Sequence, residues 1–314
     1  MKRNNNYYNF AYYGAYKNNN NYYKKHKKVD IRIIAIVVLF VVLIALILLT
    51  LTKNQTQTET AEVESQKALQ ENLMEQELAK AEKQRKEDER QAKLPKLTDV
   101  GRENMNNIYH SETKRAFLTF DDGPSNLTHQ ILDTLKQENV KATFFVLGRN
   151  VEIFPETTNR IYNEGHYIAN HGYSHEYSEI YSSPEEVLNE FNMCNEAVQK
   201  QLNEKEYNSH LFRFPGGLNG GKYHDIKHEA KALLEQNGIM CVDWNALTGD
   251  AEKVHIVAEE LMDKLAYTTE DKNSVVILMH DAESKQLTAD LLPQIIAYLR
   301  EQGYEFKTFY DIIK

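Results

Sequence analysis

Four short stretches of this chain hold residues whose types and spacing could do chemistry. The first is "TFDDG", residues 119–123, where Asp121 and Asp122 stand side by side after the apolar Ala116, Phe117 and Leu118. Adjacent carboxylates repel, and a strand end gains nothing from them, so the pair points to a site. The second is "NHGYSH", with His171 and His175 four residues apart. One helical turn at that spacing presents both imidazoles on one face. Alone, the histidine pair reads as a surface turn. With a carboxylate it becomes a two-His, one-Asp set for a divalent metal that leaves positions open for water. Either Asp121 or Asp122 can complete the set, and the other then lies within reach to take a proton. The third stretch is "RFPGG", Arg213 to Gly217, a turn that can aim a guanidinium and expose backbone N–H groups. By itself it reads as an ordinary turn. The fourth is "LMH", Leu278 to His280, a histidine ending an apolar run, which by itself reads as a satisfied polar group near a core.

The elements that must position these residues are short apolar runs alternating with amphipathic stretches. "AFLTF", "ATFFVLG", "IMCVDW" and "SVVILMH" read as buried strands. "QILDTLKQENV", "PEEVLNEFNMCNEAVQKQL", "IVAEELMDKLAYT" and "LLPQIIAYLREQG" read as helices. Such alternation predicts an α/β fold with a parallel sheet or barrel. In those folds functional residues gather at the C-terminal ends of strands. Asp121, Asp122 and His280 each sit at such an end.

Taken in order, "TFDDG", "HGYSH", "RFPGG", "GDA" and "LMH" resemble the motifs of the NodB-homology polysaccharide deacetylases, carbohydrate esterase family 4. The resemblance covers about residues 113–314. It implies a distorted (β/α) barrel, commonly seven-stranded, that removes acetyl groups from glycans with a divalent metal. Zinc is the expected ion, with Co2+, Mn2+ or Ni2+ as substitutes. It implies Asp121 as catalytic base, and Asp122, His171 and His175 as metal ligands. Gly172 stands where that family has Ser or Thr, so a loop-stabilising hydroxyl is missing. Arg213 would orient the base and Gly216 would offer its N–H to the oxyanion. Leu278 would wall the acetyl pocket, Pro215 would join the substrate-binding residues, and His280 would act as general acid. For the fourth motif, Asp250 of "GDA" is preferred over Asp243 as the partner of His280. Ala251 replaces a tryptophan expected there, which alters the lining of the site.

The substrate implied is an acetylated glycan, most simply peptidoglycan N-acetylglucosamine, with lysozyme resistance as its consequence. Poly-N-acetylglucosamine, chitin-type chains and O-acetylated xylan are the alternative substrates. A wall-binding protein without activity would lack a ligand or the base, and here the full set is present. A non-haem iron site could use the same ligands.

Where the protein sits follows from the rest of the chain. Residues 33–51, "IIAIVVLFVVLIALILLTL", form one apolar run broken only by Thr50. About 20 such residues span a bilayer as a helix. A core helix would show a polar face and this run has none. A cleaved leader would show small residues at a cleavage site, and none follow. Residues 1–32 carry eight Lys and Arg against Asp30 alone, a net +7. The whole chain is −9, so the remainder carries −16. Basic flanks stay inside, so the N-terminus is expected in the cytoplasm and the rest outside. An acidic exterior argues against a nucleic-acid partner.

The expected organisation is an Asn/Tyr-rich disordered tail over 1–30, a transmembrane helix over 31–52, a helical stalk and linker over 53–112, and the catalytic domain over 113–314. The stalk is rich in Glu, Lys, Gln and Ala without Gly or Pro before Pro95, a composition that favours helix. Leu69, Leu73 and Leu78 do not sustain heptads, so a solvated spacer is expected rather than a coiled coil. Cys194 and Cys241 are the only cysteines. They read as small buried hydrophobes rather than as a bridge.

Overall fold

The computed structural model describes residues 31–253 and 255–314. The Asn/Tyr-rich segment and most of the basic flank lie outside the described residues. The chain divides into two compact units, one through Ala81 and one from Glu82 to Lys314.

The described residues of the first unit are helical. Helix α1 runs Ile31–Lys93. Its residues from Ile34 to Leu51 are exposed on every face. Among the described residues it is the one helix long and apolar enough to cross a membrane.

The second unit begins with the last turns of α1 and continues with α2 (Asp99–Asn106), β1 (Arg115–Asp121), α3 (Thr128–Gln137), β2 (Thr143–Val146), α4 (Gly148–Ile153) and α5 (Pro155–Asn163). Then come β3 (Tyr167–Asn170), α6 (Tyr177–Ile180), α7 (Pro184–Leu202), β4 (Leu211–Phe212), α8 (His224–Gln236), β5 (Met240–Cys241) and β6 (Ala246–Leu247). It ends with α9 (Ala258–Thr269), β7 (Ser274–His280), α10 (Gln286–Glu301), β8 (Glu305–Phe306) and α11 (Tyr310–Ile313). The strands are parallel and ordered β5-β4-β3-β2-β1-β7-β6, with β8 beside the start of β1. Seven strands thus curl into a half-barrel, which is the distorted barrel expected from sequence. Its two edges, β5 and β6, do not pair with each other among the described residues.

Side-chain alternation along the strands decides what faces the concave side. On β1, Ala116, Leu118 and Phe120 point to the layer of helices, packed with Ile131, Leu135 and Leu292. The residues between them, Phe117, Thr119 and Asp121, point the other way. On β7, Val275, Ile277 and Met279 join the helical layer, so Val276, Leu278 and His280 share the concave side. Both faces are covered, which is why these strands read as unbroken apolar runs. The concave side is filled lower down by Phe117, Phe145, Tyr167 and Phe309, with Phe117 and Phe309 stacked at 5.3 Å. Its upper end is left to the polar residues.

The segment before the expected domain start also packs into this unit. Leu94, Met105 and Ile108 are buried in its core. Arg90 pairs with Glu204 at 2.6 Å and Glu206 at 3.0 Å. Met105 and Ile108 supply apolar surface that α11 needs, whereas polar neighbours such as Arg102, Glu103 and Asn104 hide that role in the sequence. Both cysteines are free thiols, Cys194 buried within α7 and Cys241 on β5.

Candidate active site

Parallel pairing sets the site. Asp121 is the last residue of β1 and lies in register with His280, the last of β7, and with Phe145 of β2. His171 follows the end of β3, and Arg213 follows the end of β4. Asp250 follows β6 by three residues. Chemistry-bearing residues from five strand ends therefore meet at one end of the sheet. Asp121, His171, Asp250 and His280 line a cleft of about 600 Å³ with Asp122, His175, Tyr177, Gly216, Trp244 and Leu278.

Arg213 is fully buried beneath the cleft. Its Nη1 donates to Asp121 Oδ1 at 2.8 Å and to Thr119 Oγ1 at 2.7 Å. Nη2 donates to the Asp243 carbonyl at 3.0 Å and Nε to the Val242 carbonyl at 3.2 Å. The guanidinium lies 3.9 Å from the Phe145 ring centre. With four of its five donors used and its plane packed against Phe145, the Arg213 guanidinium is held in place, and Asp121 with it. Burial pushes the Asp121 carboxyl up, while Arg213 and His280 pull it back. One oxygen of Asp121 is thus engaged and the other, Oδ2, is left toward His171 at 3.8 Å.

Asp122, His171 and His175 each offer one ligand atom, all within 4.8 Å of one another. His171 Nδ1 lies 2.8 Å from the Arg213 carbonyl. A carbonyl only accepts, so Nδ1 carries the proton and Nε2 presents its lone pair. Burial lowers the His171 pKa to about 3, which keeps the ring neutral. Asp122 Oδ1 is buried without a hydrogen-bond partner, 3.6 Å from His171 Nε2 and 3.3 Å from His175 Nε2. A buried unpaired carboxylate oxygen facing two imidazole nitrogens is costly unless a cation joins them. The donor set suits a borderline divalent ion. These residues fit a metal.

The two histidines do not share a helical turn, as their spacing suggested. Gly172 has φ +88° and His175 has φ +61°, which a right-handed helix cannot accommodate. They lie on a loop, and its backbone is held by acceptors instead. Asn170 Oδ1 accepts from Gly172 N at 2.9 Å. Glu190 Oε2 accepts from Tyr173 N at 2.5 Å and Ser174 N at 2.8 Å. A Cβ on Gly172 would lie 3.0 Å from Ile180 and 3.2 Å from Glu190. The hydroxyl missing at this position is thus matched by a carboxylate reaching in from α7.

Across the cleft, His280 Nδ1 lies 2.8 Å from Asp250 Oδ1, and His280 N donates to Asp250 Oδ2 at 2.9 Å. Thr288 Oγ1 donates to the same Oδ2 at 2.9 Å. Burial opposes a charge on His280, but the hydrogen bond and charge of Asp250, with Asp121 and Asp122 behind, outweigh it and hold the pKa at about 9. The His280 ring is therefore cationic at neutral pH and can donate from Nε2. Asp243 is elsewhere. Its carboxylate accepts from Leu218 N, and it does not line the cleft. Leu278 and Gly216 do line it. Pro215 does not, and its carbonyl accepts from the buried Tyr181 hydroxyl at 2.7 Å.

Sequence reasoning missed three supports. Thr119 accepts from Arg213 and donates to the Ile277 carbonyl at 2.7 Å, joining β1 to β7 beneath Asp121. Glu190 stood inside a helix with no motif around it. Asp281, next to His280, accepts from Thr128 Oγ1 at 2.6 Å, and its N–H donates to the Asp121 carbonyl at 3.1 Å. Burial pushes its carboxyl up to about 7, against the pull of Thr128 and with Asp122 and Asp121 adding to the rise. Its place directly after His280 was the available signal.

Comparison with known proteins agrees with this geometry. A polysaccharide deacetylase family model matches residues 109–239, stopping before Asp250 and His280. A peptidoglycan-N-acetylglucosamine deacetylase of Bacillus cereus is 34% identical over 207 residues, 64% of this chain and 71% of that one. A solved carbohydrate esterase family 4 esterase of Streptococcus mutans superposes with a TM-score of 0.60 at 32% identity, over 68% of this chain and 92% of that one. The catalytic domain of a peptidoglycan N-acetylglucosamine deacetylase from Eubacterium rectale gives a TM-score of 0.58 at 29% identity, over 63% and 90%. This chain belongs to the polysaccharide deacetylases of carbohydrate esterase family 4, hydrolases of acetyl groups on glycans.

Proposed function

We propose that this chain is a metal-dependent N-deacetylase of peptidoglycan N-acetylglucosamine, held at the outer face of the cell membrane by α1. The observation that carries the reading is one cleft. In it the Asp122-His171-His175 set lies beside Asp121, and the His280–Asp250 pair lines the same cavity.

Asp122, His171 and His175 would hold the ion, most simply zinc. A divalent ion there supplies Lewis acidity and lowers the pKa of water from 15.7 to about 7. Asp121, held by Arg213, takes the proton of the attacking water at Oδ2. The Gly216 N–H has no hydrogen-bond partner among the described residues and donates to the oxygen as it gains charge. His280 gives the Nε2 proton to the leaving amine, and Asp250 keeps the ring cationic and oriented. Acetate and a glucosamine residue leave.

Two relatives named for peptidoglycan N-acetylglucosamine support the substrate. The +7 segment before the apolar run supports a cytoplasmic N-terminus. A domain tethered outside by a helical stalk meets the wall, whose glycan carries N-acetyl groups. Free amines left by deacetylation would weaken recognition by lysozyme. A deletion strain should therefore have fewer free amino sugars in its purified wall and lyse faster in lysozyme. Unchanged amino-sugar content would move the substrate to a surface poly-N-acetylglucosamine.

A further inference from the structure

The cleft contains a hydroxyl that the roles above leave without a task. Tyr177 opens α6, two residues after His175, and lines the cleft while staying 40% exposed. Its ring is held at 5.4 Å from the His175 ring and 5.7 Å, edge-on, from Tyr181. Its hydroxyl has no hydrogen-bond partner among the described residues. The neighbouring Tyr181 differs, since its hydroxyl donates to the Pro215 carbonyl. A phenol clamped by two rings at a cleft wall, with its donor unspent, is pre-organised to meet a ligand.

The hydroxyl lies beside Gly216. A Cβ built on Gly216 would stand 2.6 Å from Tyr177 Oη and 3.2 Å from Cζ. Gly216 also has φ +73°, a conformation that L side chains rarely adopt. Glycine at 216 therefore does two things. It turns the backbone so that an unpaired N–H is presented, and it leaves room for the phenol to come up against that turn. The volume a side chain would occupy at 216 is filled by Tyr177, which arrives from the start of α6.

We propose that Tyr177 is a substrate-contacting residue of this site, whose hydroxyl donates a hydrogen bond to the acetamido oxygen beside the Gly216 N–H. The oxygen would then meet one backbone and one side-chain donor. A phenol is protonated at working pH, its ordinary pKa being about 10, so it can donate throughout. The inference rests on the deacetylase reading and adds a residue whose neighbourhood to the metal ligands is steric and not ligating.

The test uses the full-length chain in detergent, loaded with zinc, and chitotetraose as substrate. Tyr177→Phe keeps the ring and its packing and removes only the donor. It should lower kcat/KM about tenfold, the effect of one hydrogen bond of roughly 1.4 kcal/mol, with the loss mainly in kcat. Bound zinc and Tm should match the wild type. Tyr177→Ala should lose at least as much. An active wild type with Tyr177→Phe unchanged overturns the proposal, whether or not Tyr177→Ala is impaired, because packing alone would then explain the residue. Loss of zinc or of Tm in Tyr177→Phe also overturns it. A wild-type chain that releases no acetate from any acetylated glycan instead sinks the deacetylase reading, and Tyr177 falls with it.

Discussion

At the scale of single residues, the site separates two carboxylates that are neighbours in sequence by giving each a different environment. Asp121 is buried against a guanidinium, and Asp122, at φ +75°, turns its Oδ1 toward two imidazoles. Adjacent strand-end residues normally point to opposite faces, and the left-handed Asp122 backbone is what brings the second carboxylate back to the cleft. His280 is tuned in the opposite sense from His171. One ring is held cationic by Asp250 and the other neutral by burial. The pH consequence has a definite sign. If His280 is the acid as proposed, it acts protonated, and kcat should fall as pH rises through about 9. A bound cation opposes that charge and would move the fall lower. His280→Ala should remove this basic limb and cut amide hydrolysis by roughly 10²–10⁴. It should slow an activated aryl acetate far less, since that leaving group needs no proton. Equal losses on both substrates would refute the acid role.

At the scale of elements, legibility followed length. The "AFLTF" and "SVVILMH" runs became β1 and β7, and "PEEVLNEFNMCNEAVQKQL" is α7 residue for residue. Their periodicity or unbroken apolarity exceeds any local noise. Strands β4 and β6 have two residues each, too few to show any period, yet they aim Arg213 and Asp250. Those two residues were legible only through motif resemblance. The loop carrying His171 and His175 was misread as a helical turn because i, i+4 spacing fits both, and its positive-φ residues leave no trace in periodicity. The carboxylate that holds this loop, Glu190, belongs to α7 and is nearly fully buried. Glu190→Ala should leave two N–H groups unpaired, costing about 1–3 kcal/mol, and should weaken zinc binding together with Tm. Glu190→Gln, which keeps an acceptor oxygen, should do less. A Glu190→Ala variant with wild-type zinc affinity would show that the loop holds itself.

At the scale of the whole molecule, an exposed apolar stretch, a polar helical stretch and a catalytic unit follow one another along the chain. The proposed orientation predicts that protease added to wall-stripped cells removes everything after Thr52 and spares what precedes Ile31. Protection of the catalytic unit would reverse it. The central claim is hydrolysis of a glycan acetamide by a metal held in the Asp122-His171-His175 set, with Asp121 as base. Its most direct measurement is acetate released from purified peptidoglycan by the full-length protein, stripped with chelator and then titrated with zinc, with bound metal read in parallel. The wild type should be silent when stripped and recover at one zinc per chain. His175→Ala should lose both zinc and activity. Asp121→Asn should bind zinc normally and release no acetate. Acetate release by the stripped protein, or loss of zinc from Asp121→Asn equal to that of His175→Ala, would contradict the account.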